Sequence, residues 1–307
     1  MNARPLSRRA TARYRVVHET EYRYSSGVSV SRQAMHLAPR VCARQRTLGH
    51  RLTIDPLPTY RQECVDCFGN PLTRIEIDHP HRALLVVAES EVTIAARGPL
   101  RDPADSPAWE SVAEHHAYRA GRAPDAPVLE ACRFRADSPF VRAGAELFDF
   151  ARPHFAPGTP LLVAVCQLMH AIHRQFRFDT EATQIATPLL EVLARRRGVC
   201  QDFAHLMIGC LRALGLPARY VSGYLLTAPP PGQPRLIGAD ASHAWVSVHC
   251  PRNGWVDFDP TNDVLPDLGH VTIAWGRDFG DVSPLRGVIL GGGAHELDVR
   301  VTVLPLD

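Results

Sequence analysis

From Ala12 to about residue 97 the chain alternates between apolar and polar positions. Tyr14, Val16, His18, Thr20, Tyr22 and Tyr24 stand between Arg13, Arg15, Glu19, Glu21 and Arg23, and Leu48, His50, Leu52 and Ile54 repeat the period of two. Successive strand side chains point to opposite faces, so this pattern predicts strands with one buried face. Apolar density returns at Leu84–Val87 and Val92–Ile94, with Gly, Pro and Asn between the runs. Several short strands so punctuated predict a β-sandwich over residues 12–97. Residues 98–137 turn to Pro, Ala, Asp and Arg and read as a connector with a short helix or two.

The period then lengthens to that of a helix. Thr159-Pro160 is a start signal, with Thr as N-cap and Pro at the first helical position, ahead of a stripe of Leu161, Leu162, Val165, Leu168, Met169, Ile172 and Phe176. Thr187-Pro188 repeats it before Leu189, Leu190 and Leu193, and Gly198 is the expected end of that helix. Phe203, Ala204, Met207, Leu211 and Leu214 share the face of a third helix, which Gly215-Leu216-Pro217 stops. Cys200 therefore falls at or near a helix N-terminus.

Strand character resumes at Arg219–Leu225 and, after a proline-rich loop over 229–234, at His243–His249 and Trp255–Thr261, the last two forming a hairpin across Pro251-Arg252-Asn253-Gly254. The tail is again strand-like around Gly291–Gly293, which lacks the strand-to-helix setting of a phosphate loop and reads as a turn. The fold class is α+β: a β-sandwich over 12–97, the connector 98–137, a helix-and-sheet core over 138–264 and a short β segment over 265–307.

Composition narrows the function classes. The 307 residues are 45% hydrophobic and 21% charged, and the net charge is +2, so no nucleic-acid or membrane partner is expected. All 34 basic residues are arginine, which leaves the N-terminal amine as the one primary amine of the chain. No secretory-type apolar run opens the sequence and no stretch has membrane-spanning length, and the eight cysteines are scattered rather than framed as disulfides. A cytoplasmic protein with reduced thiols is the expectation. Cys64-Val65-Asp66-Cys67 is a lone CxxC followed by Phe68-Gly69-Asn70-Pro71, and reads as a turn rather than a metal or redox site.

Chemistry concentrates at Cys200. A helix start favours thiolate, because unpaired backbone N–H groups and the positive dipole end face it. Cys166 and Cys210 fall in apolar stripes instead, and Cys250 ends a strand. A nucleophilic thiol needs an imidazole to share its proton and a carboxylate to orient that ring. His243 opens a strand after the cysteine helix, and Asp259 ends the next strand, with Asp257 as reserve on the same face. A two-residue turn at Asn253-Gly254 would leave His243 and Asp259 about five residues out of step, so contact requires a longer loop centred near Pro251, with a bulge as a further means.

Other candidates have plainer readings. His205, five residues after Cys200, belongs to packing or surface, which weakens a Cys200, His205, His243 metal site. Asp202 compensates the helix dipole, Arg195-Arg196-Arg197 are cations on a last helical turn, and Trp245 and Trp255 flank the site. No metal and no cofactor are expected.

The motifs Gly198–Ala204, Arg212–Tyr224, Ser242–Val246 and Gly254–Thr261 resemble, in that order, those of the bacterial transglutaminase-like superfamily. Tyr14–Tyr24 and Phe68-Gly69-Asn70 resemble the β domain that precedes the core in many bacterial members, and Ala274–Val282 resembles their ending. The resemblance implies a papain-like transglutaminase core in which Cys200 is the nucleophile, His243 the general base and acid, and Asp259 the orienting carboxylate. It implies acyl transfer through a thioester, with a protein or peptide as substrate. The backbone N–H of Cys200 is one expected oxyanion donor; the second is not legible, and neither Gln201 nor Gln184 is assigned to it. Two alternatives stay open: an acyltransferase using another acyl donor, and a non-catalytic protein-binding scaffold. Oligomeric state is not legible.

Overall fold

A computed structural model of the protein describes residues 10–98, 102–118, 120–121, 124–227 and 242–306. The proline-rich loop expected over 229–234 lies outside the described residues. The alternating N-terminal region forms β1 (Thr11–Met35), β2 (Gln45–Asp55), β3 (Tyr60–Val65), β4 (Pro71–Ile77) and β5 (His81–Ala95). The connector holds α1 (Trp109–His115) and α2 (Ala126–Cys132). The core follows with α3 (Ala145–Ala151), α4 (Leu161–Gln175), β6 (Arg177–Phe178), α5 (Leu189–Arg195), β7 (Arg197–Gly198), α6 (Cys200–Ala213), β8 (Ala218–Leu225), β9 (Ser242–Cys250) and β10 (Gly254–Phe258). Last come β11 (His270–Gly276), α7 (Phe279–Val282), β12 (Leu285–Gly291) and β13 (His295–Pro305).

The N-terminal strands are joined in one antiparallel sheet of seven strands rather than two separately bonded sheets. Its axis is β1, whose 25 residues carry the alternation read from the sequence. The first half of β1 runs between β5 and β13, and the second half between β4 and β12. The residues after 265 thus divide between two sheets, with β12 and β13 closing onto β1 and β11 joining the core. One end of the large sheet encloses its own cluster, including Val28, Met35, Ile54, Ile77, Leu84 and Val86. The other end, through Tyr14, Val16, Val92, Ile94, Val301 and Val303, shares the core's hydrophobic cluster. The two regions are therefore one packed unit along this seam.

The core sheet has the order β10-β9-β8-β11, all antiparallel, with α6 packed on it. Every residue of α6 from Asp202 to Arg212 is buried, so the helix is central rather than amphipathic, and the single stripe read from the sequence understates it. Close approach explains this: a Cβ on Gly209 would stand 2.8 Å from Leu147 of α3. The helix starts differ in detail from expectation. Pro160 and Pro188 are themselves the N-caps, in extended conformation and without side-chain caps, and Thr187 instead accepts the Gln184 N–H at 2.9 Å. Helix α5 ends earlier than expected, where Arg196 takes a left-handed φ of 54°.

Candidate active site

Cys200 is the first residue of α6, with Val199 as extended N-cap. Two features fix this start. The carboxylate of Asp202 reaches back to accept the Val199 N–H at 2.8 Å and the Thr183 hydroxyl at 2.6 Å. Gly198 lies directly above it, where a Cβ would meet Asp202 Oδ2 at 2.5 Å. The Gly198-Val199-Cys200-Gln201-Asp202 spacing is thus a packing requirement: the carboxylate that closes the helix start leaves no room for a side chain at 198. Asp202 is buried, which pushes its carboxyl above the usual range, with the Thr183 and Val199 hydrogen bonds opposing.

The half-buried thiol of Cys200 interacts with His243, at the start of β9, and helps to raise its pKa. The other side of the His243 ring meets Asp259, with Nε2 donating to Oδ2 at 2.8 Å. Since Nε2 is taken, Nδ1 is the nitrogen left for the sulfur. The hairpin achieves this without a bulge. Gly254 pairs with Cys250, so the loop is the three residues 251–253, and Phe258 pairs with Val246. Extending that ladder by one residue puts Asp259 opposite Trp245, two positions from His243 rather than five. There the strand ends, and a turn closed by the Asp259 N–H to Val264 carbonyl bond at 2.9 Å aims the carboxylate at the ring. Asp257, the reserve, instead lines a cavity of about 420 Å³ with Arg219, Trp255 and Trp275.

Asp259 is 0% exposed and accepts from five N–H groups. Besides His243, Oδ2 accepts Asn262 Nδ2 at 2.7 Å and His270 Nε2 at 3.2 Å. Oδ1 accepts the backbone N–H groups of Thr261 at 3.0 Å and Asn262 at 3.2 Å, an Asx turn that makes the orienting residue rigid. Burial alone would raise this carboxyl, but the bonds from His243, His270 and Asn262 hold it well below the usual carboxylate range. Burial likewise opposes charge on His243, yet its bonds to Asp259 and Cys200, and their negative charge, raise it to about 10. The arrangement favours an imidazolium held against the buried Asp259 carboxylate. From α4, His173 Nδ1 contacts the Thr261 carbonyl at 2.9 Å and His170 contacts Asp263, so helix α4 braces the turn that carries Asp259.

Asn262 and His270 were not among the sequence candidates. Asn262 follows the candidate aspartate within Pro260-Thr261-Asn262 and was legible as part of a turn; His270 is one of fifteen histidines, with nothing local to mark it. The ligand atoms of His243, Asp259 and His270 lie within 4.8 Å of one another, the kind of group that can hold a cation. Hydrogen bonding already engages each of the three, with the Nε2 protons aimed at Oδ2. His205 is withdrawn from any such group: buried, pushed down to about 4 by that burial, its Nε2 accepts the Phe279 N–H at 3.1 Å. Gln201 Nε2 reaches the Ile185 carbonyl at 3.4 Å, and Gln184 serves the turn before α5. Trp245 is buried with its ring 6.1 Å from His243 and 5.3 Å from His270, and Trp255 lies over Arg219. Arg195 pairs with Glu191, Arg196 covers Phe150 and Phe176, and Arg197 faces Asp179 at 3.8 Å, so the three arginines form no common patch.

Residues 14–93 match the bacterial transglutaminase-like N-terminal region, and residues 149–260 match the transglutaminase-like superfamily core. An uncharacterized protein of Mycobacterium tuberculosis is 42% identical over 311 residues, covering 99% of this chain and 95% of its own length. One of Mycobacterium leprae is 31% identical over 307 residues, with 96% and 99% coverage. A protein-glutamine gamma-glutamyltransferase of Pseudomonas aeruginosa is 41% identical over 73 residues, 24% of this chain and 11% of that one. A solved structure from Cytophaga hutchinsonii, provisionally assigned as a cysteine protease, superposes with a TM-score of 0.73 at 19% identity, covering 97% of this chain and 91% of that one. That likeness concerns the fold.

Proposed function

The chain belongs to the transglutaminase-like superfamily, and on that premise we propose that it is a cysteine enzyme that cleaves or transfers acyl groups from glutamine carboxamides or peptide bonds, with Cys200, His243 and Asp259 as its triad. The observation that carries this reading is His243, bonded at 2.8 Å to a fully buried carboxylate and interacting with the helix-start thiol of Cys200.

The chemistry follows from that geometry. The Cys200 sulfur, with His243 as its proton acceptor, attacks the acyl carbon as thiolate. Negative charge then grows on the carbonyl oxygen, where the orphan backbone N–H of Cys200, at the start of α6, is available to donate. His243 gives its proton to the departing nitrogen, ammonia from a carboxamide or an amine from a peptide bond, and a Cys200 thioester remains. The neutral ring next takes a proton from water or an incoming amine, whose attack releases the acyl group and restores the thiol. Asp259 stays ionised throughout and fixes the ring. The acceptor amine comes from another molecule, since no lysine is present. A protein or peptide is the substrate class this reading favours. Eight unpaired cysteines fit a reducing, cytoplasmic setting, and among the described residues no helix is long and apolar enough to cross a membrane.

The test is direct. Wild type and Cys200→Ala are incubated with a library of glutamine-containing peptides, with and without a small primary amine, while ammonia release, amine incorporation and new peptide ends are followed. Wild type should give at least one of these and the variant none. Silence from wild type together with slow alkylation of Cys200 by iodoacetamide, no faster than the other seven cysteines, defeats the proposal.

A further inference from the structure

Strand β11 is the outer strand of the core sheet. It pairs with β8 on one side, and its other edge faces the N-terminal sheet. An exposed edge presents unpaired N–H and C=O groups. Here two side-chain carboxamides from the N-terminal region complete it. Gln45 Nε2 donates to the Thr272 carbonyl at 2.6 Å, and the Thr272 N–H donates back to Oε1 at 2.8 Å. Three residues along, Asn70 Nδ2 donates to the Trp275 carbonyl at 2.8 Å and accepts the Trp275 N–H on Oδ1 at 3.0 Å. Each amide reproduces the donor and acceptor of a strand residue.

Both amides are buried and are themselves held. Gln45 Nε2 also donates to the Arg40 carbonyl at 2.8 Å. Asn70 donates to Asp66 at 2.7 Å and accepts from Arg40 at 2.8 Å. The stretch leading into β11 is gripped from the same side: Arg44 donates to the Pro266 carbonyl at 3.2 Å and to Asp267 at 3.3 Å, and the Arg97 N–H donates to Asp267 at 2.7 Å. Asp267 in turn accepts the His270 N–H on its carbonyl at 3.0 Å. His270 is thus bracketed by contacts from the N-terminal region, at residues 266–267 before it and at Thr272 after it. Its ring reaches Asp259.

We propose that the N-terminal β region is a working part of the catalytic centre, with Gln45 as a positioning residue that sets His270 against Asp259 and, through that carboxylate, the ring of His243. The inference rests on the triad reading given above. The titratable groups around the His243 ring come from three elements: Cys200 from α6, Asp259 after β10 and His270 from β11. Withdrawing the His270 N–H removes one of the three donors on Asp259 Oδ2. The acceptor shared with His243 then changes its charge balance and loses one of its restraints.

The experiment uses the full chain and two readouts, the NMR titration of His243 and the pH profile of Cys200 alkylation by iodoacetamide. Gln45→Met keeps length but loses both amide bonds; His270→Leu removes the donor outright. Both should move the His243 titration in the same direction by about one pH unit, the scale of one charge-assisted hydrogen bond, and shift the alkaline limb of alkylation with it. His270→Gln, which can still donate, should stay closer to wild type than His270→Leu. Leu52→Ala, a core truncation remote from β11, should lower the unfolding temperature without moving either profile. Should Gln45→Met fail to fold, Arg44→Gln serves, with a smaller shift of the same sign. A Gln45→Met or Arg44→Gln protein that is less stable but has wild-type profiles overturns the proposal. If wild-type Cys200 labels no faster than the other cysteines, it is the triad reading that falls, while the His243 titration still reports on Gln45.

Discussion

His243 and His249 lie six residues apart on one face of β9, both buried and each beside a tryptophan, with rings 6.1 Å from Trp245 and 5.2 Å from Trp255 respectively. Burial disfavours charge on both. His249 meets another imidazole, His116 Nε2 at 2.9 Å from its Nδ1, and burial together with the neighbouring His116 and Arg219 pushes it down to about 4. His243 meets Asp259 and Cys200 and is raised to about 10 against the same burial. Strand, face and depth are shared, so the partner decides whether a buried imidazole is an inert neutral ring or a charged one able to deliver a proton.

Removing that partner should produce the largest effect. Asp259→Asn turns the environment of His243 toward that of His249, and turnover of any acyl substrate should fall by about 10³–10⁴-fold, the scale seen when a triad carboxylate is neutralised. NMR titration of the variant should place His243 below its usual 6.5. Activity within tenfold of wild type would mean that Asp259 is not the orienting group.

Stability should depend on pH with opposite signs for the two kinds of histidine. His243 is raised, so its contribution is complete below the unfolded value of 6.5 and is lost as pH climbs through about 10. His18, His205 and His249 are each pushed down to about 4, so the unfolded chain takes up their protons first and stability is lost as pH falls from 6.5 toward 4. Urea midpoints measured across pH 4–10 should therefore peak between these limits. In Asp259→Asn the alkaline loss should shrink while the acid loss remains; an unchanged alkaline limb would contradict the assignment.

Smaller effects sharpen the contrast. Asn262→Ala removes one of three donors to Asp259 Oδ2 and should lower turnover by about tenfold, with His243 titrating differently from wild type. His249→Phe should leave turnover within about twofold, since among the described residues His249 shares no hydrogen-bond partner with the triad, although the unfolding temperature should change. A large loss of turnover from His249→Phe would erase the distinction drawn between the two rings.

Much of this was legible in the chain. The alternation of Tyr14 to Tyr24 specified a half-buried strand, and Cys200 stands where the helical period begins, because local sterics and side-chain period act over a few residues. The order Cys200, His243, Asp259 was likewise readable. The hairpin register was not, because it turned on whether the loop held two residues or the three at 251–253. Gly198 looked like a helix stop, yet its role is to leave room for Asp202.

By itself the sequence determined that strands open the chain, where helices α4 and α6 and the β9–β10 hairpin lie, which thiol sits at a helix start and which residue types its chemistry needs. Tertiary structure alone decided that β12 and β13 close onto β1, that His270 and Asn262 join Asp259, and that Gln45 and Asn70 finish the edge of β11. The reason is separation along the chain. Periodicity says which face of an element is buried but not what covers it, and the Gln45 to Thr272 pair spans 227 residues, where only the folded arrangement selects the partner.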